Sequence, residues 1–151
     1  MPILFQELNI YDPYNTYISR FLDDRFKYNR IHDKIQKLPA NLLDFLFDLK
    51  IGEFIKEKIA ASYNLNQDQA QETGIIVLEL IVSDLYLGNI VAEIKNRLGL
   101  DDQKAKTIAR LIVAELFSPI LEELKKRHIE KFAKGQMVKQ QNDDRTVDLR
   151  K

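Results

Sequence analysis

The sequence has no cysteine and no tryptophan, and only two histidines, five glycines and four prolines in 151 residues. Without cysteine there is no disulfide scaffold, no thiolate metal site and no cysteine nucleophile. So little glycine and proline argues against a loop-rich or all-β chain. Neither charge is in excess: 23 lysines and arginines balance 23 aspartates and glutamates, for a formal charge of zero. Such a chain projects no global field towards nucleic acid or an anionic membrane. What it does have is apolar content, 45% of residues, enough for one domain of this length to bury a core.

Long hydrophobic runs are missing as well. The longest, residues 75–87, carries Glu79, Ser83 and Asp84 and is too short and too charged to span a bilayer. No membrane insertion is expected. The first ten residues include Ile3, Leu4, Phe5, Leu8 and Ile10, but no basic residue precedes them and Glu7 interrupts them. That is not the pattern of a secretory signal, and a cytoplasmic location is the expectation.

Helical signals run along the chain. Asp12-Pro13 reads as a cap followed by proline at the first helical position. Tyr14, Tyr17, Ile18, Phe21 and Leu22 then form a helical stripe, which Ile31 and Ile35 continue across a polar stretch at 27–30. Leu38-Pro39 ends that helix, because the residue before proline avoids the α region. A short, mostly apolar helix follows Pro39. Further helices are expected near 52–63, 66–87, 89–98 and 101–117. Ser118-Pro119 opens another to about 133, or else one long helix kinks at Pro119. Gly135 is expected to stop it, leaving 135–151 as a polar tail.

The most informative pattern is a repeat with an offset of 35 residues, pairing Ile55 with Ile90, Ile59 with Ile94, Leu65 with Leu100 and Ala70 with Ala105. Each unit, about 54–85 and 89–120, is a short helix, a tight connection and a longer helix. Asn64 and Gly99 stand where a left-handed terminator is needed, and Asn66 and Asp101 stand at the next cap. On the long helices Ala70, Gly74, Val77, Leu78, Ile81 and Leu85 share a face, as do Ala105, Ala109, Ile112, Val113, Leu116 and Ile120. The small pairs Ala70/Gly74 and Ala105/Ala109 would admit a close helix. The expected fold is all-α: a single compact bundle over residues 1–134, of about six or seven helices, containing a duplicated helix hairpin.

Candidate chemistry is sparse. His32 and His128 sit in no metal-binding spacing, and the paired Glu-x-x-His motifs of a carboxylate-bridged metal bundle are missing. There is no phosphate-cradling glycine loop and no Gly-x-Ser-x-Gly elbow. No metal, cofactor or catalytic residue is assigned, and no enzymatic activity is expected. Glu79 and Asp84 interrupt the most apolar helix. Glu79 is either a boundary residue or a buried carboxylate of raised pKa, the feature a ligand-binding or enzymatic bundle would need. Asp44 and Asp48, four apart, mark the wet edge of an apolar helix.

Lys125, Lys126, Arg127 and Lys131 make the last helix locally basic. Twelve basic against nine acidic residues follow Leu98, whereas residues 41–98 hold five against nine. This is either a solvated helix end suited to the dipole or a basic patch for nucleic acid. Two terminal segments suggest partner contacts: Leu4 and Phe5 before the first helix, and Val147, Leu149 and Arg150 in an alternating stretch at the end.

Several short runs carry a resemblance: Lys58-Ile59-Ala60 with Tyr63 and Leu65, then Leu98-Gly99-Leu100, Ala105 with Ile108-Ala109, and Leu116-Phe117-Ser118-Pro119-Ile120. Together they resemble a group of small helical proteins of unknown function from candidate-phylum bacteria with small genomes. The resemblance covers residues 38–133, and Phe117-Ser118-Pro119-Ile120 is its most specific part. Val147-Asp148-Leu149-Arg150 resembles an ending seen in the same group. It implies no activity or cofactor. The sequence therefore points to a non-enzymatic interaction or adaptor protein with a protein partner or a second copy of itself. A nucleic-acid- or ribosome-associated protein using the basic helix, and a ligand-binding or enzymatic bundle around Glu79, are the alternatives.

Overall fold

Asp12 opens the first helix, α1 (Pro13–Arg20), by accepting a hydrogen bond from the Asn15 amide at 3.0 Å, with Pro13 at the first helical position. The computed structural model describes residues 11–142, with side chains through residue 132. The apolar stripe does not run unbroken to Leu38. The chain turns at 21–24, and Asp24 caps a second helix, α2 (Arg25–Gln36). Pro39 then precedes α3 (Ala40–Leu46), and Asp48 caps α4 (Leu49–Phe54).

Helix α4 continues as a π-helical stretch, Ile55–Ala60, and a last turn, α5 (Ala61–Tyr63). Asn64 then takes a left-handed conformation, φ 55°, and Asn66 caps α6 (Gln67–Ile81) with a reciprocal bond from the Asn66 amide to the Gln69 side chain. The same sequence of events recurs after the short 3₁₀ turn Leu87–Asn89. Helix α7 (Ile90–Leu98) ends at left-handed Gly99, φ 68°, and Asp101 caps α8 (Asp102–Arg110), which continues as a second π stretch, Leu111–Leu116. Both π stretches carry apolar residues spaced strictly by four: Ile51, Ile55 and Ile59, then Ile108, Ile112 and Leu116, all buried. At 3.6 residues per turn a spacing of four drifts around an α-helix. The wider π turn removes the drift and keeps each row against the core.

The result is an all-α compact bundle. Helix α6 is its axis, with Thr73 through Leu78, Leu80 and Ile81 all buried. It packs against α1, α3, α7 and the first π stretch. Gly74 faces α1: a Cβ there would lie 3.6 Å from the Pro13 Cα and 3.6 Å from the Tyr11 carbonyl oxygen. That is ordinary contact distance, so alanine fits. Gly74→Ala is expected to stabilise the fold by about 0.5–1 kcal/mol through helix propensity, raising the melting temperature by about 2–3 °C in a thermal melt.

Two further boundaries differ from the sequence expectation. Helix α6 stops at Ile81 instead of running on to 87. The turn at 82–85 is closed by Asp84 and Leu85 amides donating to the Glu79 carbonyl. The last helix, α9 (Leu121–Asn142), begins after a turn that contains Pro119 and passes through Gly135. A single glycine costs a helix interior only about 1 kcal/mol, and good helix formers surround this one.

Candidate functional site: a cationic cleft

The broken end of α6 lies beside α9, and two side chains of α9 hold it there. His128 is 1% exposed. Its Nε2–H donates to the Leu80 carbonyl at 2.8 Å, and its Nδ1 accepts from the Leu87 amide at 3.0 Å. Tyr86 and Phe132 pack around the ring, with centroids 6.2 and 5.4 Å away. Three residues on, the Lys131 ammonium donates to the Ser83 carbonyl at 2.5 Å. The intervening turn is thus tied to α9 at both ends and in the middle.

Ser83 takes the left-handed conformation, φ 66°, of a helix terminator: its amide donates to the Leu80 carbonyl at 3.2 Å and the Asp84 amide to the Glu79 carbonyl at 2.8 Å. It is 4% exposed, and its hydroxyl oxygen has no hydrogen-bond partner. Beside it opens a cleft of about 530 Å³ between α2, the turn and α9. Four cations line it, Lys34, Lys37, Arg127 and Lys131, against the carboxylates of Asp33 and Glu130.

The carboxylates near these cations do not neutralise them all. Lys37 pairs with Asp33 at 3.1 Å. Asp84 is already shared, receiving both guanidinium nitrogens of Arg30 at 2.9 and 3.1 Å and the Lys34 ammonium at 2.6 Å. Among the described residues Arg127 and Lys131 have no ion-pair partner, and the Arg127 Nε is buried without a hydrogen bond. Burial and the neighbouring Lys34 and Arg30 push the Lys131 ammonium below the usual lysine range, against the pull of Asp84. An anion in the cleft would meet unspent donors and relieve the crowding of like charges.

The basic run of the last helix is divided by the helix period. Arg127 and Lys131, four apart, share the cleft face. Lys125 and Lys126 are exposed and border a second recess with Glu122 and Glu123, which Arg127 and Glu130 also line. Lys34 and Lys37 carry no signal of this site in the sequence. The pair Ser83-Asp84, polar within the most apolar run, was the one available hint.

Glu79 belongs to a different cluster. Arg97 donates to Glu79 at 2.7 Å, to Glu72 at 2.6 Å and to Glu93 at 3.4 Å, and Arg20 adds a second bond to Glu72 at 2.8 Å. Burial opposes ionisation of Glu72, but the two arginines outweigh it and hold its carboxyl below the usual range. His32 is also committed: its Nδ1–H donates to the Tyr28 carbonyl at 2.9 Å, and its Nε2 accepts from the Tyr14 hydroxyl at 2.7 Å.

Leu4, Phe5, Val147, Leu149 and Arg150 lie outside the described residues. Among the described residues no helix is long and apolar enough to cross a membrane, and no group of three or more acidic or histidine side chains could hold a metal. No protein-family model matches the chain, and comparison with curated proteins and with solved structures finds no match.

Proposed function

We propose that this chain is a non-enzymatic recognition protein that holds an anionic segment of a protein partner in the cleft between α2 and α9. The observation that carries this reading is the unbalanced cation set: Arg127 and Lys131 lack carboxylate partners while Lys34 shares Asp84 with Arg30. A cleft whose cations outnumber its carboxylates, within a chain of zero net charge, attracts a local anionic group while the whole molecule attracts none. A non-catalytic role is supported by the imidazoles, both of which have each ring nitrogen occupied, and by Glu79, which is held by Arg97. A protein partner is favoured over nucleic acid because Glu122, Glu123 and Glu130 interleave with Lys125, Lys126 and Arg127 on α9, so the basic run is interrupted by carboxylates.

Fluorescence anisotropy with a labelled glutamate-rich peptide tests this reading. Binding is expected to weaken with salt and to fall at least about tenfold in Arg127→Glu and Lys131→Glu. Lys125→Glu, on another face, is expected to bind within about twofold of the natural chain. Tighter binding of a single-stranded RNA oligomer, lost equally in Lys125→Glu and Arg127→Glu, would instead make α9 a nucleic-acid surface.

A further inference from the structure

We infer that a groove between α3 and the second π stretch receives residues 145–151 of a second copy of the chain, and that two copies exchange these segments to form a dimer. The inference does not rest on the cationic cleft and uses other residues. The groove, about 470 Å³, is bordered by α3, α4, the second π stretch and the turn before α9. Phe45 and Phe54 are half-buried and Pro119 is exposed, so each presents carbon surface to the opening, above Ile51, Leu116 and Ile120. Phe45 is backed by Phe117, with ring centroids 5.9 Å apart, which fixes that wall in advance. The exposed carboxylates Asp44, Asp48 and Glu115 line the groove against one ammonium, Lys50. Asp48 spends one oxygen on the Lys50 amide, at 2.9 Å, in capping α4. Among the described residues Asp44 and Glu115 have no ion-pair partner. An apolar groove with a surplus of carboxylates fits a segment whose apolar residues lie between cations.

The chain carries such a segment. In an extended peptide every second residue faces the same way, which puts Arg145, Val147, Leu149 and Lys151 on one face. That face reads cation, apolar, apolar, cation. Asp148 falls on the other, away from the carboxylates of the groove. Geometry makes the donor a second copy. Helix α9 starts at Leu121, beside Ile120 of the groove, and runs 22 residues to Asn142, a length of about 33 Å. Val147 follows five residues later and reaches back at most about 18 Å. It stops about 15 Å short of its own groove. A neighbouring copy has no such limit, and reciprocal exchange between two copies closes a dimer.

Sedimentation velocity of the full chain, from low to high micromolar concentration, reads the dimer. Isotope-filtered NOEs in a mixture of ¹³C-labelled and unlabelled chains read the contact. The expected result is a dimer with NOEs from the Leu149 methyls of one copy to the Phe54 ring of the other. Leu149→Glu sets a carboxylate against the apolar, acidic groove and is expected to weaken dimerisation at least about tenfold. Asp44→Lys with Glu115→Lys, both at exposed positions, should weaken it by a similar factor. Adding Arg145→Glu and Lys151→Glu to that pair should restore it, because the two charge reversals match again. A monomer at every concentration would overturn the exchange, as would a dimer that Leu149→Glu leaves intact. The same NOEs in a monomeric sample would also overturn it, by showing that each segment reaches its own groove. A peptide of residues 143–151 that binds the Leu149→Glu chain no better than its scrambled order would overturn the segment and give the groove to a different partner.

Discussion

Replacing His128 with alanine is expected to destabilise the fold by about 3 kcal/mol and to lower its melting temperature by about 9 °C. The Leu80 carbonyl keeps the Ser83 amide at 3.2 Å as a second partner, but the Leu87 amide has His128 alone. Its orphaned N–H, together with the space left by the imidazole between Tyr86 and Phe132, accounts for the loss. The same histidine ties stability to pH. Burial, with Lys131 and Arg127 nearby, holds the imidazole below its ordinary value of 6.5, outweighing the Leu80 carbonyl that favours the cation. A second proton would also turn Nδ1 from acceptor to donor opposite the Leu87 amide. The unfolded chain therefore binds more protons than the folded one below pH 6.5. The stabilising contribution is complete above that pH and is lost as pH falls through it. Urea denaturation at pH 7.5 and 5.5 should show this loss in the natural chain and a smaller one in His128→Ala.

Arg97→Ala carries the second-largest expected effect. It leaves Glu79 without its cation and Glu72 with Arg20 alone, two half-buried carboxylates on one helix. Breaking a fully buried pair costs several kcal/mol, and the Arg97 side chain is 25% exposed, so about 2 kcal/mol at pH 7 is the discounted figure. The Glu72 carboxyl, held low when folded, contributes stability that is present above its ordinary value of 4.5 and is lost as pH falls below it. The gap between the natural chain and Arg97→Ala should therefore narrow between pH 5 and pH 3, as measured by denaturant titration. If the gap stayed constant, the role of Arg97 would be packing of its aliphatic stem and not charge.

Much of the fold is legible in local chemistry. Asp12-Pro13, Leu38-Pro39, Asn64 with Asn66, and Gly99 with Asp101 each specify a boundary through their own backbone preferences, and the structure places helix ends at all of them. Gly74, on the small face it shares with Ala70, likewise lies against α1. The cleft was not legible, for a physical reason. The residues 82–87 continue an apolar helical pattern, and what bends them is a clamp from His128 and Lys131, 41 to 48 positions further along the chain. Lys34 joins Arg127 and Lys131 only because α2 and α9 border the same turn. The basic run of α9 is visible as composition, whereas which of its cations line the cleft follows from the helix period and from which face His128 and Leu124 bury.

The two charged clusters differ in how completely their cations are paired. The Arg97 cluster joins each cation to carboxylates and is closed to further charge. The cleft leaves Arg127 and Lys131 without carboxylate partners, and in the proposed reading an anionic segment of a partner supplies them.

Chemical-shift mapping of the ¹⁵N-labelled chain against a glutamate-rich peptide tests the central claim most directly. The expected result is a contiguous set of perturbations at Lys34, Ser83, Arg127 and Lys131, with Lys125 and the Arg97 cluster unmoved. Perturbations centred on Arg97 or on Lys125 and Lys126, or no saturable change at millimolar peptide, would contradict it.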